Sequence, residues 1–200
     1  MAPVCGCLLT GKSTLYIGYL VMRLNKLKPN FDAIPPWATR DKWQAANAAI
    51  AEAIRSRPHR FAVLRDLAQQ IRCRVDLLDP MLDALCADTC PGCTDNCCVR
   101  ATLWYDLKDL LAFHLGTAPV PAFQLAAASG RPCRFLDTSG CALPRIGRPF
   151  ICTWFVCAAQ RRILDGWLPS SRQFLDNSLL ALKDGRNRLE KTFIREVVGL

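Results

Sequence analysis

At 200 residues and 51% hydrophobic composition, the chain can bury one globular core, and no apolar run approaches the 18 or so residues that a membrane-spanning helix needs. The formal charge is +9, from 26 Lys and Arg against 17 Asp and Glu, but the basic residues are scattered apart from RSRPHR (55–60) and QRR (160–162). That spread reads as a solvated basic surface rather than a nucleic-acid footprint. With His59 and His114 as its only histidines, the chain has little material for Ser–His–Asp hydrolysis or His-based zinc hydrolysis.

The first 36 residues read as an arm that leads into a helix and then a linker. GCLLTGKST (6–14) carries the residue types of a phosphate-binding loop in Gly6, Gly11, Lys12 and Ser13. Such a loop must be fed by a strand, and here only five residues precede Gly6, with Pro3 among them. No second acidic motif follows, so ATP binding is not expected. The apolar segment 15–22 contains Gly18, ends at Arg23 and is followed by no small-residue cleavage pattern; the expectation is a cytoplasmic chain with no membrane span. NFDAIPPWA (30–38) reads as a proline-rich linker.

Residues 37–85 have helical periodicity. Trp43, Ala46, Ile50 and Ile54 recur at steps of three and four, with Thr39 as cap. Beyond Pro58 a second stripe runs through Phe61, Leu64, Leu67, Ala68 and Ile71, and Cys73 is expected to be a core thiol. A third short helix is expected to start with Asp79 as cap and Pro80 in its first turn, carrying Met81, Leu82 and Leu85.

The stretch 86–157 holds nine of the 12 cysteines, about one residue in eight, in a chain without a clear export signal. Dense cysteine in that setting points to metal more than to disulfides. One helix interrupts it, with Leu107, Leu110 and Leu111 on one side and a stop at Gly116. Residues 158–200 read as two helices broken at GWLPSS, with Ser170 or Ser171 as cap. Their Lys183, Arg186, Arg188, Lys191 and Arg195 are expected on a solvated face.

The chemistry concentrates in CADTCPGCTDNCC (86–98), CRFLDTSGC (133–141) and RPFICTWFVC (148–157). Cys90 and Cys93 form a Cys-x2-Cys knuckle with Pro91 and Gly92 to make the turn, which lets two sulfurs face one cation. Cys97 and Cys98 are neighbours, and on an extended chain neighbouring side chains diverge. The doublet would then serve two centres, or one member would be a ligand while the other bridges or packs. Trp104, Phe150, Trp154 and Phe155 are candidates for a dry shell around the metal. Structural disulfides and inert buried thiols are the competing readings. Neither accounts for the knuckle and the doublet together.

These motifs resemble the eight-cysteine CxxCxxCC family, the YkgJ-type proteins described as zinc- or iron-chelating domains, some relatives being described as flagellin lysine methylases or ferredoxin-like. The resemblance covers residues 90–157. It implies metal ligation by Cys90, Cys93, Cys97, Cys98, Cys133, Cys141, Cys152 and Cys157, with no catalytic residue assigned. Three residues separate Cys93 from Cys97 where the pattern has two, one extra residue precedes Arg148, and Thr153 stands where Arg is usual. Cys86 could replace one of the eight.

The expected fold is therefore mainly α, with helical flanks (37–85 and 158–200, the latter packing on the core) around an irregular, metal-stabilised cysteine-rich core at 86–157. The expected function is metal binding through iron–sulfur centres with a redox or methylation-linked role and a protein or redox partner. The alternative is a zinc-stabilised interaction module without catalysis.

Overall fold

The computed structural model describes residues 37–94, 97–100, 103–116, 118–125, 131–138 and 140–198. The N-terminal arm, with GCLLTGKST, the expected helix after it, Cys5 and Cys7, lies outside them. Among the described residues the fold is mainly helical, and no helix is long and apolar enough to cross a membrane.

Helix α1 (Arg40–Ser56) begins where the Thr39 hydroxyl oxygen accepts a hydrogen bond from the Lys42 amide at 3.4 Å. It buries Trp43, Ala46, Ile50, Ala53 and Ile54, the expected stripe. Helix α2 (Ala62–Thr89) runs unbroken through Pro80, so the separate helix expected to start at Asp79 does not exist. A proline inside a helix costs about 3 kcal/mol. Here the buried stripe Leu64, Leu67, Ile71, Val75, Leu78, Leu82 and Leu85 keeps one register across the proline, whose ring lies on the exposed side. At roughly 1.5–3 kcal/mol per fully buried side chain, residues on both sides of Pro80 outweigh its penalty. The same register explains Cys73: it falls between Ile71 and Val75 on the outer face and is exposed, not a core thiol.

A short turn of helix α3 (Cys97–Arg100) precedes α4 (Leu107–His114). Asp106 caps α4 through a reciprocal pair of bonds: its side chain accepts from the Asp109 amide, and the Asp109 side chain accepts from its own. A two-residue antiparallel ladder follows, β1 (Leu136–Asp137) with β2 (Gly140–Cys141), pairing Leu136 with Cys141 and Asp137 with Gly140. After a 3-10 turn (Arg145–Gly147) come α5 (Phe150–Trp154), α6 (Ala158–Asp165) and the 30-residue α7 (Pro169–Val198).

The long helices α2 and α7 form the spine of the core, where Phe61 and Phe193 pack with ring centroids 5.7 Å apart. Helix α4 packs on α7, and α1 on α4, with Trp43 and Tyr105 in ring contact at 5.9 Å. Lys183, Arg188, Lys191 and Arg195 are exposed along α7, but Arg186 is not part of that solvated face. It is buried and donates to Asp109 at 2.7 Å and Asp106 at 3.1 Å, because its position falls on the apolar stripe of Leu175, Leu182, Leu189 and Phe193.

Candidate metal centre: the cysteine cluster

The cluster is assembled from the end of α2. The Cys90 amide closes the last helical turn onto the Cys86 carbonyl at 2.8 Å, placing both residues on one face. The chain then reverses through Pro91 and Gly92, the latter at φ +73°, and the Cys93 amide donates to the Cys90 carbonyl at 3.2 Å. The expected knuckle is thus a real turn, with Cys90 half-buried and Cys93 exposed.

The doublet differs from the sequence expectation. Cys97 and Cys98 start a helical turn rather than an extended segment, and their thiols hydrogen-bond each other. In a helix, neighbouring side chains are about 100° apart instead of opposed. Their surroundings overlap: Cys97 feels the charge of Cys86 and acts on both Cys90 and Cys152, while Cys98 feels Cys152 and Cys141.

The remaining cysteines arrive from later in the chain. The Cys133 amide donates to the Cys98 carbonyl at 2.9 Å, and the Cys133 carbonyl accepts from Leu136, which begins the ladder carrying Cys141. That hairpin lies against the knuckle: a Cβ built on Gly140 would stand 3.8 Å from the Cβ of Cys90. Cys152 sits in α5, whose first amide, that of Phe150, donates to the buried Asp109 carboxylate at 3.2 Å. With exposed Cys93 set apart, the thiols of Cys86, Cys90, Cys97, Cys98, Cys133, Cys141 and Cys152 thereby share one region.

Their acidities diverge. Cys86 is held down to about 5, chiefly by the hydrogen bond from Cys90, with Arg145 assisting against burial. Cys90 is pushed up in return. Cys97 is lowered to about 7 by its bond with Cys98, while Cys98 is raised. Burial pushes Cys152 up to about 12, and the charges of Cys141, Cys133 and Cys97 add to the rise. Close thiols resist carrying several negative charges at once, which is the situation a cation relieves.

Three polar residues support the rim. Arg145, only 2% exposed, donates through Nε to Asp79 at 2.7 Å and through Nη2 to Asp83 and, at 3.9 Å, to the Cys86 sulfur. Gln160 Nε2 also donates to Cys86 Sγ, at 3.5 Å. Arg148 joins Asp83 at 3.7 Å and the Leu143 carbonyl at 2.8 Å. Cys157, expected as the eighth ligand, is the cap of α6: its sulfur accepts from the Gln160 amide at 3.5 Å, and its amide donates to the Gln160 side chain at 3.1 Å. Gln160 three residues after Cys157 is a legible capping pattern. Arg145 has no comparable local signal.

The expected aromatic shell is only partial. Phe150 lies beneath the Arg186 guanidinium, 4.4 Å from its ring centroid, and Trp104 is half-buried. Trp154 and Phe155 are 45% and 44% exposed and form an edge-on pair at 6.4 Å. The inward position of the short α5 is taken by Thr153, which leaves both rings outside. His114 is engaged by Asn47 at 2.8 Å, and burial lowers its pKa; His59 is exposed.

Cys73, Cys86, Cys90, Cys93, Cys97, Cys133, Cys141, Cys152 and Cys157 are free thiols. The thiols meet in hydrogen-bonded pairs, and among the described residues no three His, Cys, Asp or Glu side chains converge on a single point suited to a metal ion. The donor set is nevertheless of one chemical kind: soft sulfur ligands, which suit zinc and iron. No family model, no curated protein and no solved structure matches this chain.

Proposed function

We propose that this protein binds metal through its cysteine cluster, as iron–sulfur centres with a redox or methylation-linked role and a redox or protein partner. The observation that carries the reading is the gathering of Cys86, Cys90, Cys97, Cys98, Cys133, Cys141 and Cys152 in one region. Inert thiols have no reason to be packed where their charges oppose one another, whereas thiolates around a cation do. The motif resemblance to the CxxCxxCC family points the same way, and the metal would stabilise the irregular segment between α2 and α6. A dense cysteine cluster that holds metal rather than disulfides fits a reducing, cytoplasmic compartment.

A second reading, a zinc-stabilised interaction module without catalysis, is favoured by Trp154 and Phe155. Their half-exposed rings leave the cluster without a dry cover on that side and offer aromatic surface of the kind interfaces use. One measurement separates the readings: metal and acid-labile sulfide content of protein purified without oxygen. Iron with matching sulfide supports the first reading, zinc without sulfide supports the second, and protein carrying no metal rejects both.

A further inference from the structure

We propose that the small cavity between the helical body and the cysteine segment binds one monoatomic anion of the halide class, held by Arg186 together with Arg145 and Arg148. Among the described residues no cysteine lines this cavity, and the proposal does not rest on the metal reading.

The cavity has a volume of about 20 Å³ and is walled by residues of α2, α4, α5 and α7, with Asp109, Arg145, Arg148, Thr153 and Arg186 as its polar lining. A water needs roughly 10–15 Å³ by this measure, so the space takes one body of about that size and excludes phosphate and other polyatomic anions. Arg186 supplies the observation that points to a ligand. Its side chain is 6% exposed, and its Nε–H is buried with no hydrogen-bond partner among the described residues. Its Nη2 donates to Asp109 at 2.7 Å and to Asp106 at 3.1 Å, and the Phe150 ring covers one face of the guanidinium, with its centroid 4.4 Å from Cζ. These neighbours fix the group without answering Nε. A charged donor buried without an acceptor is costly, so an acceptor belongs at this position.

Charge and the kind of lining group select an anion over water. Three lining residues carry guanidinium groups and one is acidic, while Asp79, Asp83 and Asp106, which partner Arg145 and Arg186, do not line the cavity. The Asp109 carboxylate does, but its oxygens already accept from Arg186, from the Phe150 amide and from the Asp106 amide. A water would bring two O–H donors to a lining rich in donors, whereas a halide only accepts. The Thr153 hydroxyl can turn its hydrogen towards the same acceptor. Attraction between buried charges is also screened less than at the surface. An anion held here joins the start of α5 and the preceding 3-10 turn to α4 and α7, and so adds a second tie beside Asp109 between the cysteine segment and the helical body.

The test uses the full chain as purified. Its thermal midpoint is followed as sodium chloride replaces sodium gluconate at constant ionic strength, gluconate being too large for the cavity. Chloride should raise the midpoint and the rise should saturate, as for any ligand that binds only the folded state. Arg186→Lys keeps a cation for Asp109 but has no Nε–H, so its midpoint should lose the chloride dependence. Crystals soaked in bromide should show an anomalous peak within hydrogen-bond distance of Arg186 Nε. This arm needs no variant, so it decides the matter even if Arg186→Lys does not fold. The proposal is overturned if chloride and gluconate give equal midpoints, if the chloride dependence survives in folded Arg186→Lys, or if the bromide crystal shows an ordered water at the site instead of the ion.

Discussion

Asp109 on α4 and Arg186 on α7 form an ion pair of 2.7 Å in which both side chains are buried, at 4% and 6% exposure. The same carboxylate accepts from the Phe150 amide, the first residue of the helix that carries Cys152. One buried acid therefore ties the helical body to the cysteine segment. Removing one partner of a buried pair leaves an uncompensated charge and typically costs about 3–5 kcal/mol. Asp109→Ala should lose stability of that order in urea unfolding, and a loss within experimental error would show that the pair is not holding α4 and α7 together.

The pH dependence follows from the same residue. Burial pushes the Asp109 carboxyl up to about 7, the nearby Asp106 adds to the rise, and Arg186 opposes it. Although paired, the acid is thus dominated by desolvation. Its pKa is higher in the folded state than the ordinary 3.8, so the folded protein binds the extra proton between those values. The stability this contributes is fully present below about pH 4 and is lost as pH rises through about 7. Subtracting the Asp109→Asn profile from that of the wild type isolates the contribution. A difference that grows with pH over that window would contradict the burial argument.

Metal removal should act unevenly. Structural zinc contributes roughly 10–16 kcal/mol in small thiolate domains, comparable with a whole fold's stability. The core of α1, α2 and α7 is closed by Phe61, Leu64, Leu182, Leu189 and Phe193, none of which depends on a cysteine. Chelation should therefore lower the thermal midpoint sharply while much of the helical circular dichroism persists. An unchanged melt after complete metal loss would count against a structural role.

The doublet supplies a spectroscopic prediction. If Cys97 and Cys98 serve different centres, Cys97→Ser and Cys98→Ser each keep part of the metal with distinct absorption spectra, and the double variant loses nearly all. Cys90→Ser and Cys93→Ser, which share one knuckle, should match each other. Serine keeps the size but is a poor donor for a soft metal. Full metal in both doublet variants would make these cysteines packing residues.

Gly140 links the hairpin to the knuckle at φ +120°, a conformation that L side chains rarely adopt. Gly140→Ala has ordinary contact distance to Cys90, 3.8 Å, so its penalty is conformational, about 1–2 kcal/mol. The variant should show that loss in denaturant midpoint together with altered metal spectra. A neutral effect would mean that the hairpin turn is not constrained.

Local pattern made much of the framework readable. The stripes of α1 and α2, the Thr39 cap, the stop of α4 near Gly116 and the break between α6 and α7 all depend on neighbours within one or two helical turns. So does the Cys90–Cys93 turn. Pro80 was misleading because its local preference for a helix start is weaker than the burial of Leu78 and Leu82 on either side of it.

The sequence by itself determined the apolar stripes of the long helices and where sulfur is concentrated, since both follow from residue type and short-range spacing. Which sulfurs become neighbours was decided only by tertiary structure. Cys86 gains its partners from Arg145 and Gln160, 59 and 74 positions away, and Asp109 meets Arg186 across 77. Cys157 stands among the ligand motifs yet caps a helix, and Arg186 stands among surface basic residues yet is buried. Periodicity records which face of an element is apolar. It carries no information about which distant charge that face will meet, because that depends on how the α2–α7 spine brings the later segments of the chain back onto it.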